Sequence, residues 1–533
     1  MIERIIENWL TNCNERQFQI PFCQLLTAEG ETVVYVSPHG QREQGKDIVS
    51  IGIDRVPSAY QLKQGRITQS AWRQFKGEID ELVEYAIDLP GISTSRLHRA
   101  YLVTNGSVSD PVLSALKSAN LSWKRRKYPP LSLINGKELT ARFLKVHGSY
   151  LPSEPKNFKL FLELVLESGK SPLDKQKLAY FLESVLPIRS SSAQRGREMQ
   201  RAIASAALLS SYILQSCEND KNWWALFEGW IVTGSHFLAV AAKYRLAKKW
   251  WARSFELCEL SAVRALEQLC EECESNKTQL SAGDPLTDGH FYHYRITILL
   301  GTLSAWNLFL VLRKQPRPNQ DFLRSFFNAN LKNVRIWGES AVPLLLAAAL
   351  QIEKFGDQIV AESLVVQLID GITRANARGG TGVADPYFGP EESLRILYGL
   401  DTDNTVEFRG HSYLLQSLVD FLARRWRRNA LARWWGRITR VQFTTFLPST
   451  QWEWFTWTAH EGALQTRFPA ERQSWSVLLS DAESRDVSRV PTALRENPAF
   501  ALFFAIVYPH RFCPGLLRVL EEAIDKSAGV AAD

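Results

Sequence analysis

Gly45-Lys46-Asp47-Ile48-Val49 and, one short turn later, Tyr60-Gln61-Leu62-Lys63 decide how the first part of this chain is read. The apolar run from Lys46 to Ile53 and the second from Ala59 to Leu62 have the composition of two β-strands joined around Asp54, Arg55, Val56 and Pro57. Paired as a hairpin centred near Arg55, they set Asp47 opposite Lys63. Side chains alternate across a strand, so Gln61 and Lys63 share one face while Leu62 points away into a core. One carboxylate, one amide and one ammonium group therefore converge on a single patch of sheet.

That patch suits phosphodiester hydrolysis. Water attacks a phosphodiester when a cation neutralises the non-bridging oxygens and lowers the pKa of the attacking water, and a hard cation such as Mg²⁺ (or Mn²⁺) takes oxygen ligands. Asp47 is the main candidate ligand, with the Gln61 side-chain oxygen and the Leu62 backbone carbonyl completing the set. The Lys63 ammonium would orient the nucleophile and stabilise charge developing on the phosphorus oxygens. A plain hairpin with one acid, one base and one amide on its surface has the same residues, so the surroundings must decide.

The surroundings form an ordered series. A helix from Gln17-Phe18-Gln19 to Leu25-Leu26 precedes a strand from Thr32 to Val36, and after Gly45-Lys46-Asp47 and Gln61-Leu62-Lys63 a helix runs from about Gln69 to Tyr85. The strand Ala100-Tyr101-Leu102-Val103 ends in Thr104-Asn105-Gly106, Ser107 caps a helix through Lys117, and Leu133-Ile134-Asn135-Gly136-Lys137-Glu138-Leu139 follows. This collinear order, over roughly residues 14 to 145, resembles the Mrr-type restriction endonucleases, a branch of the PD-(D/E)xK nuclease superfamily. The resemblance implies an α/β domain at residues 1–150 with a mixed central sheet flanked by helices. It also implies Mg²⁺-dependent endodeoxyribonuclease activity with Asp47, Gln61 and Lys63 as the site and DNA as the partner. Similar domains occur in prokaryotic restriction and antiviral defence systems. One departure stands out: many members carry a Glu beside a Phe on the first helix, where this chain has Gln17 and Gln19 around Phe18, with Glu15 slightly earlier as a substitute. A repair or junction-resolving nuclease would use the same site, and a degenerate fold kept as a nucleic-acid-binding or scaffold module is the third alternative.

Around the site, His39, Arg42 and Glu43 lie in a polar loop where substrate contacts are common, and Arg66, Arg73 and Lys76 are placed to meet a nucleic-acid backbone; each set also reads as solvated surface. The chain has 63 Lys+Arg against 56 Asp+Glu, a net charge of +7 that suits a polyanionic partner without demanding one. Seven cysteines in 533 residues make no disulfide framework. The opening segment carries acids among its apolar residues, unlike a secretory signal. The apolar run Ile296 to Leu312, broken by Thr297, Thr302, Ser304 and Asn307, reads as a buried helix. A cytoplasmic protein without a membrane partner is expected.

Past about residue 150 long 3.6-residue periods take over, and residues 151–533 read as an all-α region, subdivided near 275–288 and 378–390. Cys270-x-x-Cys273 and His290-x-x-His293 have near-zinc-finger spacing and would make a Cys₂His₂ zinc site, although buried helix residues are the commoner explanation of such pairs. Arg424, Arg425, Arg427 and Arg428 surround Trp426, a pattern that binds phosphates and stacks bases or else covers a buried tryptophan. Gly379-Gly380-Thr381-Gly382 lacks the Lys-Ser/Thr end of a phosphate-binding loop. The 17 tryptophans suit anchors between helices and a surface for a protein partner or a second copy of the chain.

Overall fold

The computed structural model describes residues 2–37, 44–90, 92, 98–147, 155–188, 196–275, 289–316, 320–397, 408–458 and 462–529. Two compact units divide the chain, Met1–Ala262 and Val263–Asp533.

The first unit opens with α1 (Ile2–Asn12) and α2 (Glu15–Glu29). A capping box starts α2: the Asn14 side chain accepts the Gln17 N–H at 3.0 Å, and the Gln17 side chain accepts the Asn14 N–H at 2.9 Å. Five strands follow in the sheet order β1 (Thr32–Val36), β2 (Ile48–Ile51), β3 (Pro57–Lys63), β4 (Arg99–Thr104) and β5 (Leu131–Ile134). The first three are antiparallel and the last three parallel, giving the mixed sheet that was expected. The parallel crossovers run through α3 (Gln69–Glu84) and α4 (Asp110–Arg125), and α5 (Gly136–His147) follows β5. Val49, Ala59 and Leu102 on one sheet face join Trp72, Phe75, Ile79, Leu82 and Trp123 of α3 and α4 in one core cluster. On the other face the Phe22 ring of α2 stands edge-on to Tyr60, which stacks on Tyr101.

Two local expectations need correction. Ile48 pairs with Tyr60 and Ile51 with Pro57, so the hairpin is centred on Asp54 and Asp47 lies beside Gln61, not Lys63. The loop fixes this register: Arg55 takes a positive φ of 60° and bonds back to Gly52, while Asp54 accepts the Val56 N–H at 3.0 Å. A two-residue shift leaves every side chain on its expected face. The cap of α4 is Ser109 rather than Ser107, because the backbone of Ser107 is used in a bridge to Ile67.

The remaining helices of this unit are α6 (Pro155–Leu166), α7 (Lys175–Val185), α8 (Arg197–Asn219), α9 (Trp223–Tyr244) and the first half of α10 (Ala252–Ser275). Helix α8 packs along α2, and Trp9 of α1 meets both Phe143 of α5 and Tyr212 of α8 at 5.6 and 4.9 Å.

The second unit continues with α11 (Gly289–Leu312), α12 (Gln320–Asn330), α13 (Val342–Lys354), α14 (Gln358–Ala375) and α15 (Pro390–Leu397). Beyond these come α16 (Leu415–Arg424), α17 (Arg428–Ile438), α18 (Trp475–Glu483), α19 (Thr492–Glu496), α20 (Pro498–Val507) and α21 (Pro514–Gly529). Gly301 lets α11 approach α13 closely, since a Cβ there would lie 2.4 Å from that of Leu344. The region is mostly helical but not all-α, as its sequence suggested. A three-stranded sheet, β6 (His411–Ser412), β7 (Gln442–Pro448) and β8 (Gly462–Arg467), is built into it. β6 has two residues and Gly462-Ala463-Leu464-Gln465-Thr466-Arg467 lacks clear alternation, so neither carries a period-2 signal.

Helices α9 and α11 are long and apolar enough to cross a membrane, yet 94% and 78% of their apolar windows are covered by protein. The Asn307 amide of α11 donates to Gln351 of α13 at 2.6 Å and accepts from Gln320 at 2.9 Å, as a core helix requires of its polar residues. None of the seven cysteines is in a disulfide.

Just before α13, Glu339 is fully buried beside the Asp385–His411 pair; it accepts the Ser412 hydroxyl and, at 2.7 Å, the Tyr413 N–H. Burial outweighs these bonds and pushes its carboxyl up to about 7. A folded-state pKa above the unfolded value, about 4.3, gives stability that is complete below the unfolded pKa and lost as pH rises through 7. Denaturant titrations of the wild type and Glu339→Gln are therefore expected to show the wild type losing stability relative to the variant between about pH 4.5 and 7. A constant difference across that window would rule out Glu339 as the titrating group.

Candidate active site

The polar cluster forms where β2 and β3 leave the sheet on the α3 side. Asp47 precedes β2; its N–H bonds to the Tyr60 carbonyl at 2.9 Å and its carboxylate accepts the Leu62 N–H at 2.6 Å. A strand residue's N–H and C=O point to the same edge, so the Leu62 carbonyl faces the same side as Asp47. Asp47 and Gln61 are only 2% and 3% exposed. The Gln61 amide nitrogen reaches Glu78 of α3 at 3.4 Å, while its Oε1 is buried with no hydrogen-bond partner. Such an orphaned acceptor needs an explanation.

Lys63 closes the cluster. Its Nζ lies 2.8 Å from Glu78, 3.9 Å from Glu15 and 5.4 Å from the Phe75 ring centroid. Burial pulls its pKa down, but the Glu78 hydrogen bond and the charges of Glu15, Glu78 and Asp47 outweigh burial, leaving it raised. The side chain is therefore a fixed cation, fit to stabilise negative charge and unfit to abstract a proton at neutral pH. Its neighbour Lys46 is held apart from this role, with Nζ bonded to the Gln44 carbonyl and burial lowering its pKa to about 8.

The three residues named around Phe18 have separate places. Glu15, at the start of α2, reaches the Lys63 ammonium. Gln19 is fully buried behind the site, its amide donating to the Ser37 and Asp47 carbonyls at 3.3 and 3.4 Å and so holding the backbone beneath Asp47. Gln17 is used in the helix cap.

Glu78 was not singled out from the sequence. It lies three residues beyond Phe75, at the edge of the apolar stripe of α3, a position where helical periodicity sends a side chain alongside the packed face. In the sequence Asn105 stands out only as part of the Thr104-Asn105-Gly106 turn. Its side chain accepts the Gly65 N–H at 2.6 Å and donates to the Leu10 and Cys13 carbonyls at 2.6 and 2.9 Å. The Thr104-Asn105-Gly106 turn thus ties the end of the Lys63 strand to the α1–α2 junction, which is what brings Glu15 to the site.

Gly45 gives the clearest test of this frame. It has φ +69°, and a Cβ would sit 2.1 Å from the Glu78 carbonyl oxygen. Gly45→Ala is expected to destabilise the first unit by more than about 1 kcal/mol and to displace Asp47 from Leu62, read from thermal unfolding and from loss of amide protection at Leu62. Unchanged stability would contradict this close packing.

Other expected site residues fall elsewhere. His39, Arg42 and Glu43 lie outside the described residues. Arg66 and Arg73 are exposed, and Lys76 pairs with Asp80 along its own helix. Three of the four arginines around Trp426 face inward: Arg424 and Arg425 pair with Glu521, Arg425 also with Glu353, and Arg427 with Glu362 at 3.0 Å. Only Arg428 of the four is exposed, so three of the guanidinium groups are engaged by acids of the same unit. Trp426, for which the sequence left a base-stacking ring or a buried tryptophan as alternatives, is 67% exposed and so is not buried under the arginines. Cys270 and Cys273 are buried in α10, where burial raises their thiols to about 12 and 11, and His293 bonds to the Asn333 carbonyl. The side chain of His290 lies outside the described residues. No group of three or more His, Cys, Asp or Glu side chains able to hold a metal forms among the described residues, which include Cys270, Cys273 and His293.

Fold and cluster together define an α/β domain whose mixed five-stranded sheet presents one acid, one amide and one cation at a strand end. Compared with models of known protein families, with curated proteins and with solved structures, the chain shows no match.

Proposed function

We propose that the N-terminal domain is a Mg²⁺-dependent endonuclease hydrolysing DNA phosphodiester bonds in the cytoplasm, in prokaryotic restriction or antiviral defence, with the helical region serving recognition, assembly or regulation. The observation that carries this reading is the buried, unpartnered Gln61 Oε1 next to the Asp47 carboxylate, with the Lys63 cation on the same sheet face. The oxygens of Asp47, Gln61 and Leu62 fit a hard cation, which when bound would supply Lewis acidity and a more acidic water. Asp47 holds the negative end of the site, Gln19 and the Leu62 N–H fix its position, and Lys63 offers a preorganised positive charge to the developing oxyanion.

The test is cleavage of plasmid, branched DNA and RNA by the purified chain with Mg²⁺ or with chelator. Expected are nicked and linear plasmid with Mg²⁺ and none with chelator; preference for branched DNA would move the assignment to a junction-resolving or repair nuclease. A second reading, a nucleic-acid-binding domain that no longer cleaves, is favoured by the single carboxylate among the ligands and by the engagement of Lys63 with Glu78. Affinity for DNA without cleavage of any substrate would decide for it.

A further inference from the structure

In the second unit a groove of about 420 Å³ opens between α17, the start of α18 and the strand end Arg467-Phe468. Its floor is polar, with Asp420 and Gln416 buried, Arg485 partly buried and Arg467 exposed. Asp420 accepts two hydrogen bonds from the Arg485 guanidinium at 2.8 and 3.0 Å. Gln416, with its amide oxygen turned toward the arginines, accepts from Arg467 at 2.5 Å and from Arg485 at 3.0 and 3.1 Å. This network fixes the Arg485 guanidinium and holds one nitrogen of Arg467 before any ligand arrives.

The walls are aromatic. Trp435 is anchored by its indole N–H to the Ala470 and Glu471 carbonyls, both at 3.2 Å, and the Phe468 ring is 62% exposed at the mouth. Arg472 lies exposed on the rim. Arg428, two helical turns before Trp435 on the same face of α17, is exposed with no acidic partner among the described residues. Asp420 is matched by Arg485, and Arg467 and Arg472 outnumber the remaining acid, Asp481, which accepts from the Gln473 amide at 3.2 Å, so the lining keeps a net positive charge.

Guanidinium groups beside open aromatic rings, one held in place at Arg467 and one on the rim at Arg472, match the two halves of a nucleotide: phosphate oxygens take charge-assisted hydrogen bonds, and a base has a π-face to stack. A simple carboxylate would leave the rings unused, and an apolar ligand would strand the arginines. The volume lies within the range of small-ligand clefts, about 300–1,000 Å³, and leaves no room for paired bases. We propose that this groove binds one nucleotide unit, its base stacked on Trp435 and Phe468 and its phosphate on Arg467 and Arg472. The unit comes either from a free nucleotide or from an unpaired position of a single strand. The site is independent of the nuclease reading.

Binding is measured on the full chain in chelator, so that cleavage cannot interfere. Calorimetry with the four ribonucleoside 5′-monophosphates is paired with anisotropy of a labelled single strand of about a dozen nucleotides and of its duplex. Phe468→Ala and Arg472→Ala alter exposed residues and are compared at unchanged thermal midpoint. The expected result is saturable binding weakened about tenfold by Phe468→Ala, the size of a lost base–aromatic stack, and a shallower salt dependence in Arg472→Ala. Monophosphate binding that displaces the strand identifies the free nucleotide as the source; strand binding that monophosphates do not displace identifies the single strand. Binding of neither probe, equal binding of duplex and single strand, or variants that bind like the wild type would overturn the proposal.

Discussion

Alanine at Lys63 is expected to lower Mg²⁺-dependent plasmid cleavage by about 10²–10³-fold, the usual loss when one preorganised charge-stabilising donor is removed. The ammonium sits between Glu78 and Glu15 on the face shared with Asp47 and Gln61, and its raised pKa keeps it charged over the working range. Its main effect is therefore on the chemical step, and single-turnover rates at saturating DNA should show it while DNA affinity changes little. Glu78→Gln makes a finer test. The glutamine keeps an acceptor for the ammonium but removes a negative charge that opposes burial, so Lys63 should deprotonate at lower pH and the alkaline limb of the rate profile should move down. Cleavage by Lys63→Ala at the wild-type rate would remove this residue from the chemistry and with it the nuclease assignment of the cluster.

Glu521→Ala is expected to cost the second unit about 3–5 kcal/mol, because truncating one member of a buried ion network leaves the others uncompensated. Glu521 of α21 is buried and pairs with both Arg424 and Arg425; Arg425 also pairs with Glu353 of α13 and lies 3.5 Å over the Phe421 ring. These arginines join α13, α16 and α21, so the fall should appear as a lower denaturation midpoint of that unit. Arg428→Ala, from the same basic run but exposed, should change stability by less than about 0.5 kcal/mol. Equal, small effects of the two substitutions would mean that the network contributes no stability.

The contrast within that run shows where reading the sequence stops. Arg424, Arg425, Arg427 and Arg428 have the same local pattern, yet three are taken up by acids 65 or more residues away in sequence and one is not. Phosphate binding and internal pairing place the same demand on an arginine, so only the position of the acids distinguishes them. Trp426 is the counterpart: held at φ +58°, it projects outward once the flanking arginines turn in. The small sheet of the second unit escaped for another reason, since β6 and β8 are too short and too mixed in polarity to carry a period of two.

Local pattern was enough for α2, β1, the β2–β3 pair, α3, β4 and the presence of α4, with β1 at Thr32–Val36 as expected, and for the parity that sends Gln61 and Lys63 to one face and Leu62 to the other. Those are short-range properties, fixed by alternation along a strand and by apolar spacing along a helix. The tertiary structure alone decided that Asp47 stands beside Gln61, that Glu78 and Glu15 hold the Lys63 ammonium, and that Gln19 supports Asp47 from behind. Each of these depends on a loop conformation or on two elements meeting in space, and the free energy of a charge or a buried amide is set by whichever neighbours the fold brings within a few ångströms.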